Sequence, residues 1–221
     1  MKAGESLTKH APVSVPAGKV VLQGDLSMPS EPRGIVLFAH GSGSSRHSPR
    51  NRYVAEVLHE RSLGTLLVDL LTAGEEQEDD VTAQLRFDIG LLTQRLVAIT
   101  DWLVSLPKFR GHDIGLFGAS TGAAAALMTA AERPDLIKAV VSRGGRPDLA
   151  GATASLVRAP TLLIVGGKDT AVIQMNRAAM ALMQCETELK IVPGATHLFE
   201  ERGTLAQVAS LAGDWFTTHL V

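Results

Sequence analysis

Apolar positions along this chain come in two rhythms that alternate almost from end to end. Runs with few polar interruptions, Gly34–Ala39, Thr65–Leu70, His112–Phe117, Ile137–Ser142, Thr161–Val165 and Glu188–Val192, have the length and composition of strands buried on both faces. Between them, apolar residues recur every three or four positions, which is the helical period. The predicted helices are Arg52–Arg61, Ala83–Leu106 as one long element, Thr121–Glu132, Val172–Gln184 and Leu205–His219. Ahead of these, Val13–Val15 and Val20–Leu26 flank Pro16-Ala-Gly18, a turn suited to an antiparallel pair at a sheet edge.

Parallel neighbours need crossover connections, and the crossovers cover the sheet. The alternation therefore predicts an α/β fold: a mostly parallel, doubly wound sheet with helices on both faces, in one domain spanning residues 1–221. About 18 residues separate Ser142 from Thr161, too few for a large cap over the sheet edge. An open, shallow site that takes small or flexible substrates is expected.

Composition narrows the function classes. Hydrophobic residues make up 45% of 221 positions and charged residues 20%, enough apolar surface to fill a core. A formal net charge of -2 supplies no broad basic field, so nucleic acid is not an expected partner. No apolar run reaches the roughly 18 residues of a membrane span, and no leader with an apolar centre is recognisable; a cytoplasmic monomer or homodimer is expected. Cys185 is the only cysteine, which excludes an internal disulfide and a cysteine metal site; its place near a helix end reads as packing. The acidic run Glu75–Asp80 reads as a solvated loop or helix start and is left out of the site.

The sharpest chemical signal is Gly118-Ala-Ser120-Thr-Gly122, lying directly between a predicted strand and a predicted helix. A nucleophile there is projected above the sheet by a strained turn, and the glycines let neighbouring elements approach. A dinucleotide site would need a different glycine spacing and an acidic residue ending the next strand, where Ser142-Arg143 stands instead. A serine hydroxyl needs an imidazole to take its proton and a carboxylate to orient that imidazole. His197, in Pro193-Gly-Ala-Thr-His197, follows the last predicted strand, and Asp169, in Gly166-Gly-Lys-Asp169, follows the one before it. The order Ser, Asp, His is the one this chemistry uses on such a sheet. Helix capping alone would also explain Asp169, and Asp148 is a second candidate for the acid.

Backbone amides of Thr121 and of Ser42, in the glycine-rich loop His40-Gly-Ser-Gly43, are the expected oxyanion donors. His40 reads as structural, bonding loop backbone. Arg46, His47, Arg50 and Arg52 form a basic cluster, and Arg143 and Arg146 leave the same sheet edge; Arg143 is the candidate for recognising an acidic group on substrate. No cofactor or metal is expected.

With these residues in place, the chain from about Val20 onward resembles the α/β-hydrolase superfamily, and within it the compact dienelactone hydrolase-like group. His40–Asn51 and Arg143-Gly-Gly-Arg-Pro-Asp148 also resemble bacterial hydrolase domains sometimes joined to a phosphoribosyltransferase domain. The resemblance implies hydrolysis of small esters or lactones through an acyl-enzyme. Dienelactone hydrolases carry cysteine where this chain has Ser120, which leaves lactone preference open. A thioesterase or acyltransferase would use the same machinery, and a non-catalytic binding or regulatory module could retain the fold.

Overall fold

The computed structural model describes residues 8–220. Two antiparallel strands, β1 (Lys9–Ala17) and β2 (Val20–Met28), form a hairpin at one edge, and β2 pairs antiparallel with β4 (Leu63–Val68). From there the sheet is parallel, continuing through β3 (Gly34–Ala39), β5 (Asp113–Ala119), β6 (Ile137–Arg143), β7 (Thr161–Gly166) and β8 (Thr187–Val192). The strand order is β1-β2-β4-β3-β5-β6-β7-β8. This is the α/β-hydrolase fold, as the alternating rhythm predicts.

Among the described residues six α-helices flank the sheet, five between strands and α6 after the last: α1 (Pro49–Glu60), α2 (Ala73–Thr82), α3 (Ile89–Ser105), α4 (Thr121–Glu132), α5 (Thr170–Met180) and α6 (Thr204–His219). Successive strand residues point to opposite faces, and β3 shows the consequence. Ile35 and Leu37 pack with Leu92 and Leu96 of α3 and Ala126 of α4, whereas Val36 and Phe38 pack with Val54 and Leu58 of α1 and Phe216 of α6. With both faces covered, every residue of β3, β4 and β7 is buried. At about 1.5–3 kcal/mol for each large side chain removed from water, the two cores hold the sheet's carboxyl edge rigid, and the functional loops leave from that edge.

The predicted helix over Ala83–Leu106 is broken. Thr72 and Glu75 form a reciprocal capping box that starts α2 just ahead of the acidic run, and Ala83 ends it in a left-handed conformation with φ of 51°. The buried Asp79 carboxylate then accepts the amides of Leu85 at 2.6 Å and Arg86 at 3.1 Å and pairs with the Arg86 guanidinium. Helix α3 restarts at Asp88, whose carboxylate accepts the Leu91 amide at 2.9 Å. Apolar periodicity runs through this turn unchanged, so only the capping residues mark the break. The interval 147–156 is a short, kinked 3₁₀ segment whose Pro147, Ala150 and Ala154 are buried; no cap domain rises there. Among the described residues, no helix is long and apolar enough to cross a membrane.

Gly122 is where α4 meets the loop after β3. A β-carbon there would overlap the carbonyl oxygens of Ala39 and His40, both backbone atoms that cannot swing away. Gly122→Ala is expected to cost about 2–3 kcal/mol of stability, read as a lowered midpoint in urea unfolding.

Candidate active site

Ser120 sits between β5 and α4 with φ of 49° and ψ of -121°, a conformation that side-chain-bearing residues rarely adopt. Neighbouring backbone holds it there. The Ser120 amide donates to the Arg143 carbonyl at 3.3 Å, and the Ser120 carbonyl accepts from the amides of Arg146 at 3.0 Å and Ala123 at 3.1 Å. The loop after β3 crosses close by: a β-carbon on Gly41 would lie 3.0 Å from that of Ser120. This is the strained strand-to-helix turn that the glycine spacing predicts.

Asp169 leaves the carboxyl end of β7 and His197 the loop after β8. Their side chains meet, with Nδ1 of His197 2.6 Å from Oδ2 of Asp169. The carboxylate is mostly sheltered and the imidazole half-exposed, at 16% and 40% of their side-chain surfaces. Engaging Nδ1 leaves Nε2 as the second imidazole nitrogen, and the ring lies against Gly144, where a β-carbon would be 3.6 Å from Cε1. Gly144 adjoins Arg143, whose carbonyl holds the Ser120 amide, so the loop after β8 reaches back over the end of β6, the strand that pairs with β5 beneath the serine turn. Glu201 braces the histidine loop by accepting the Thr196 amide at 3.1 Å through Oε2, which holds its carboxyl below the usual range. Asp148 is not available as the orienting acid, because Arg146 binds it at 2.7–3.2 Å through both oxygens.

Ser42 and Thr121 also come together. The Ser42 amide donates to the buried Thr121 hydroxyl at 3.1 Å, joining the loop after β3 to the first turn of α4. His40, behind them, bonds backbone on both sides: its Nε2 accepts the Leu70 amide at 3.0 Å, which leaves the proton on Nδ1 to donate to the Gly41 carbonyl at 2.9 Å. Burial lowers the His40 pKa, consistent with a neutral imidazole.

A cavity of about 250 Å³ opens beside this pair, lined among others by His40, Ser42, Leu71, Glu76, Arg86 and Thr121. The acidic run belongs to this wall: Glu76, Asp79 and Asp80 all line it. The cavity reaches Thr121 without Ser120, Asp169 or His197 among its lining residues, so the run stands beside the candidate triad, folded as the helix start that the sequence allowed. Its signal was present in the capping box, which folds the run into α2 rather than a free loop. Burial, followed by Asp69 and Asp80, pushes the Glu76 carboxyl up.

The expected basic cluster is largely neutralised. Arg46 pairs with Asp69 and Asp25, Arg52 bonds Asp25 at 3.0 Å and the ring of His47 at 3.0 Å, and Arg146 is held by Asp148. Arg50 touches Glu200 only at 3.5 Å. Arg143 is buried rather than displayed at the surface. The one polar contact of its guanidinium among the described residues is Nη2 to Oδ1 of Asn51 at 3.5 Å.

Residues 37–216 match the dienelactone hydrolase family. The chain belongs to that family. A dienelactone hydrolase from Anabaena variabilis ATCC 29413 is 57% identical, with 97% of this chain and 99% of that one covered and a TM-score of 0.95. Est1E from Butyrivibrio proteoclasticus shares the fold at 18% identity and a TM-score of 0.77, over 94% and 98% of the two chains. Two Mycobacterium tuberculosis proteins, from strains CDC 1551 and H37Rv, carry provisional phosphoribosyl transferase names and are 57% identical over 94% of this chain. The chain spans 46% of their length, about half. Membership in the dienelactone hydrolase family accords with the α/β-hydrolase sheet on which the chain is built.

Proposed function

We propose that this chain is a serine hydrolase that cleaves small carboxylic esters through an acyl-enzyme, with Ser120 as nucleophile, His197 as general base and Asp169 as the orienting carboxylate. The observation that carries the reading is the 2.6 Å contact between His197 Nδ1 and Asp169 at the same carboxyl edge of the sheet as a serine on a strained strand-to-helix turn. With Nδ1 held by the carboxylate, Nε2 is the nitrogen that takes the serine proton. Ser120 Oγ bonds to the ester carbonyl carbon, the carbonyl oxygen becomes an oxyanion, and collapse expels the alcohol with the proton from His197. Water repeats the sequence on the acyl-enzyme and releases the acid.

The oxyanion is placed against the amides of Thr121 and Ser42, at the amino end of α4 where the helix dipole favours negative charge. Ser42's amide donates to the Thr121 hydroxyl in the resting site and shares itself between that hydroxyl and the carbonyl oxygen as substrate enters. The hydroxyl meanwhile fixes how far the two amides stand apart. Thr121→Val, which keeps the shape and removes the hydroxyl, is expected to lower kcat between about tenfold and a hundredfold with little change in KM. Thr121→Ser should recover most of the loss.

The open cavity of about 250 Å³ suits short acyl groups better than long chains. Assay on a panel of p-nitrophenyl esters, small lactones and acyl thioesters tests the reading. Turnover highest on acetate and butyrate esters is expected. Preference for thioesters would reassign the substrate, and a folded protein inert to the whole panel would be a binding module. The phosphoribosyl transferase name of the mycobacterial relatives belongs to chains about twice as long, and the site geometry of this half supports acyl rather than ribosyl chemistry.

A further inference from the structure

Two arginines are buried in this molecule, and only one of them is paired. Arg95 bonds Glu75 at 2.7 Å and the Ala17 carbonyl at 3.2 Å. Arg143 is 8% exposed, and its Nε and Nη1 have no partner among the described residues. A guanidinium removed from water without a counter-charge is strongly disfavoured, and here a like charge adds to the disfavour. Arg50 stands close enough for burial and its repulsion together to bring the Arg143 pKa down to about 10. The Nε of Arg50 is likewise buried and unpartnered.

The surroundings specify what is missing. Arg143 Nη2 reaches Asn51, itself 2% exposed, in the first turn of the twelve-residue helix α1, where the dipole adds partial positive charge. Among the described residues no carboxylate binds Arg143, and the one paired with Arg50 is Glu200 at 3.5 Å. Two cations and a helix amino end converge with only this one long-range acid beside them, and their combined charge matches a dianion better than a monoanion. Arg50 is the movable wall: about a third of its side chain is exposed, and the Glu200 contact holding it is long.

We propose that Arg143, Arg50 and Asn51 form a receptor for a phosphate monoester group carried by the substrate. The inference rests on the esterase reading for its purpose but not for its test. The site adjoins the reaction centre, because the Arg143 carbonyl holds the Ser120 amide, Gly144 backs the His197 ring and Glu200 lies three residues beyond His197. A substrate anchored there by phosphate presents its ester to Ser120 from the histidine side, opposite the cavity at Thr121. Arg50 turns from Glu200 to the phosphate on entry, and the dianion supplies the acceptors that Arg143 lacks.

Isothermal titration of the full chain with inorganic phosphate tests this without any turnover. Saturable binding is expected in the parent and equally in Ser120→Ala, weakened at least about tenfold in Arg143→Gln and similarly in Arg50→Gln. The second variant, on a partly exposed residue, serves if the first does not fold. Acetate should bind at least about tenfold more weakly than phosphate, for want of the second charge. No saturable phosphate binding below roughly 10 mM, or unchanged binding in the folded variants, would overturn the receptor; acetate binding as tightly as phosphate would overturn its assignment to a dianion. If the phosphate results hold while Ser120→Ala retains full esterase activity, the catalytic reading fails and the anion receptor stands.

Discussion

Ser120→Ala is expected to reduce kcat on p-nitrophenyl acetate by at least about 10⁴-fold, to the residual rate that oxyanion contacts and binding supply. The loss should appear in kcat with KM little changed, because the hydroxyl forms its bond only as the reaction proceeds. Stability should stay near that of the parent. Alanine bears the same backbone strain at φ of 49° as serine does, and the amide and carbonyl bonds to Arg143, Arg146 and Ala123 are all main-chain. A large rate loss with unchanged thermal unfolding therefore separates chemistry from folding.

Asp169→Asn should cost nearly as much, on the order of 10³–10⁴ in kcat. The asparagine amide presents either a carbonyl or an NH₂ to Nδ1, and the second choice forces the imidazole into the tautomer that cannot accept the serine proton. Helix capping offers the competing explanation for an aspartate here, and the structure separates the two. Asp169 precedes α5 yet its side chain makes no capping hydrogen bond; the carboxylate is committed to His197. Since asparagine caps as well as aspartate, a residue whose role was capping would tolerate the change. Measuring kcat alongside urea unfolding of Asp169→Asn checks both at once: a deep loss of rate with small loss of stability is expected.

Much of the fold was legible because buried parallel strands and amphipathic helices leave unambiguous periods. The strand Gly34–Ala39 and the helix Thr121–Glu132 fall where those periods place them. Boundaries drifted where local chemistry overrides periodicity. Strand β4 begins at Leu63 and ends at Val68, two residues earlier than its apolar run suggests, which leaves Asp69 free to pair with Arg46. Helix α1 begins at Pro49 because Ser48 caps it and proline suits the first turn. The break before α3 depends on a side chain, Asp79, gathering three groups of the following turn, and hydropathy does not record that.

The candidate site shows the same division. The turn at Ser120 and the meeting of Asp169 with His197 follow from chain order and sheet topology, which the sequence reveals. Charge partners do not. Arg46, Arg52, Arg143 and Arg146 look alike as letters, yet Arg46 and Arg52 are neutralised by acids from other elements, Arg146 by Asp148 two residues on, and Arg143 is buried without any. The cavity wall built from Glu76 and Asp80 depends on α2 folding back toward the loop after β3, a tertiary contact with no local signature.

The account turns on one serine being made nucleophilic by one histidine. Treating the folded chain with a fluorophosphonate and mapping the adduct by peptide mass spectrometry tests that directly. The expected result is a single modified residue, Ser120, labelled rapidly in the parent and at least about 10³-fold more slowly in His197→Ala. Labelling at another residue, or labelling of Ser120 at the same rate without the imidazole, would contradict it.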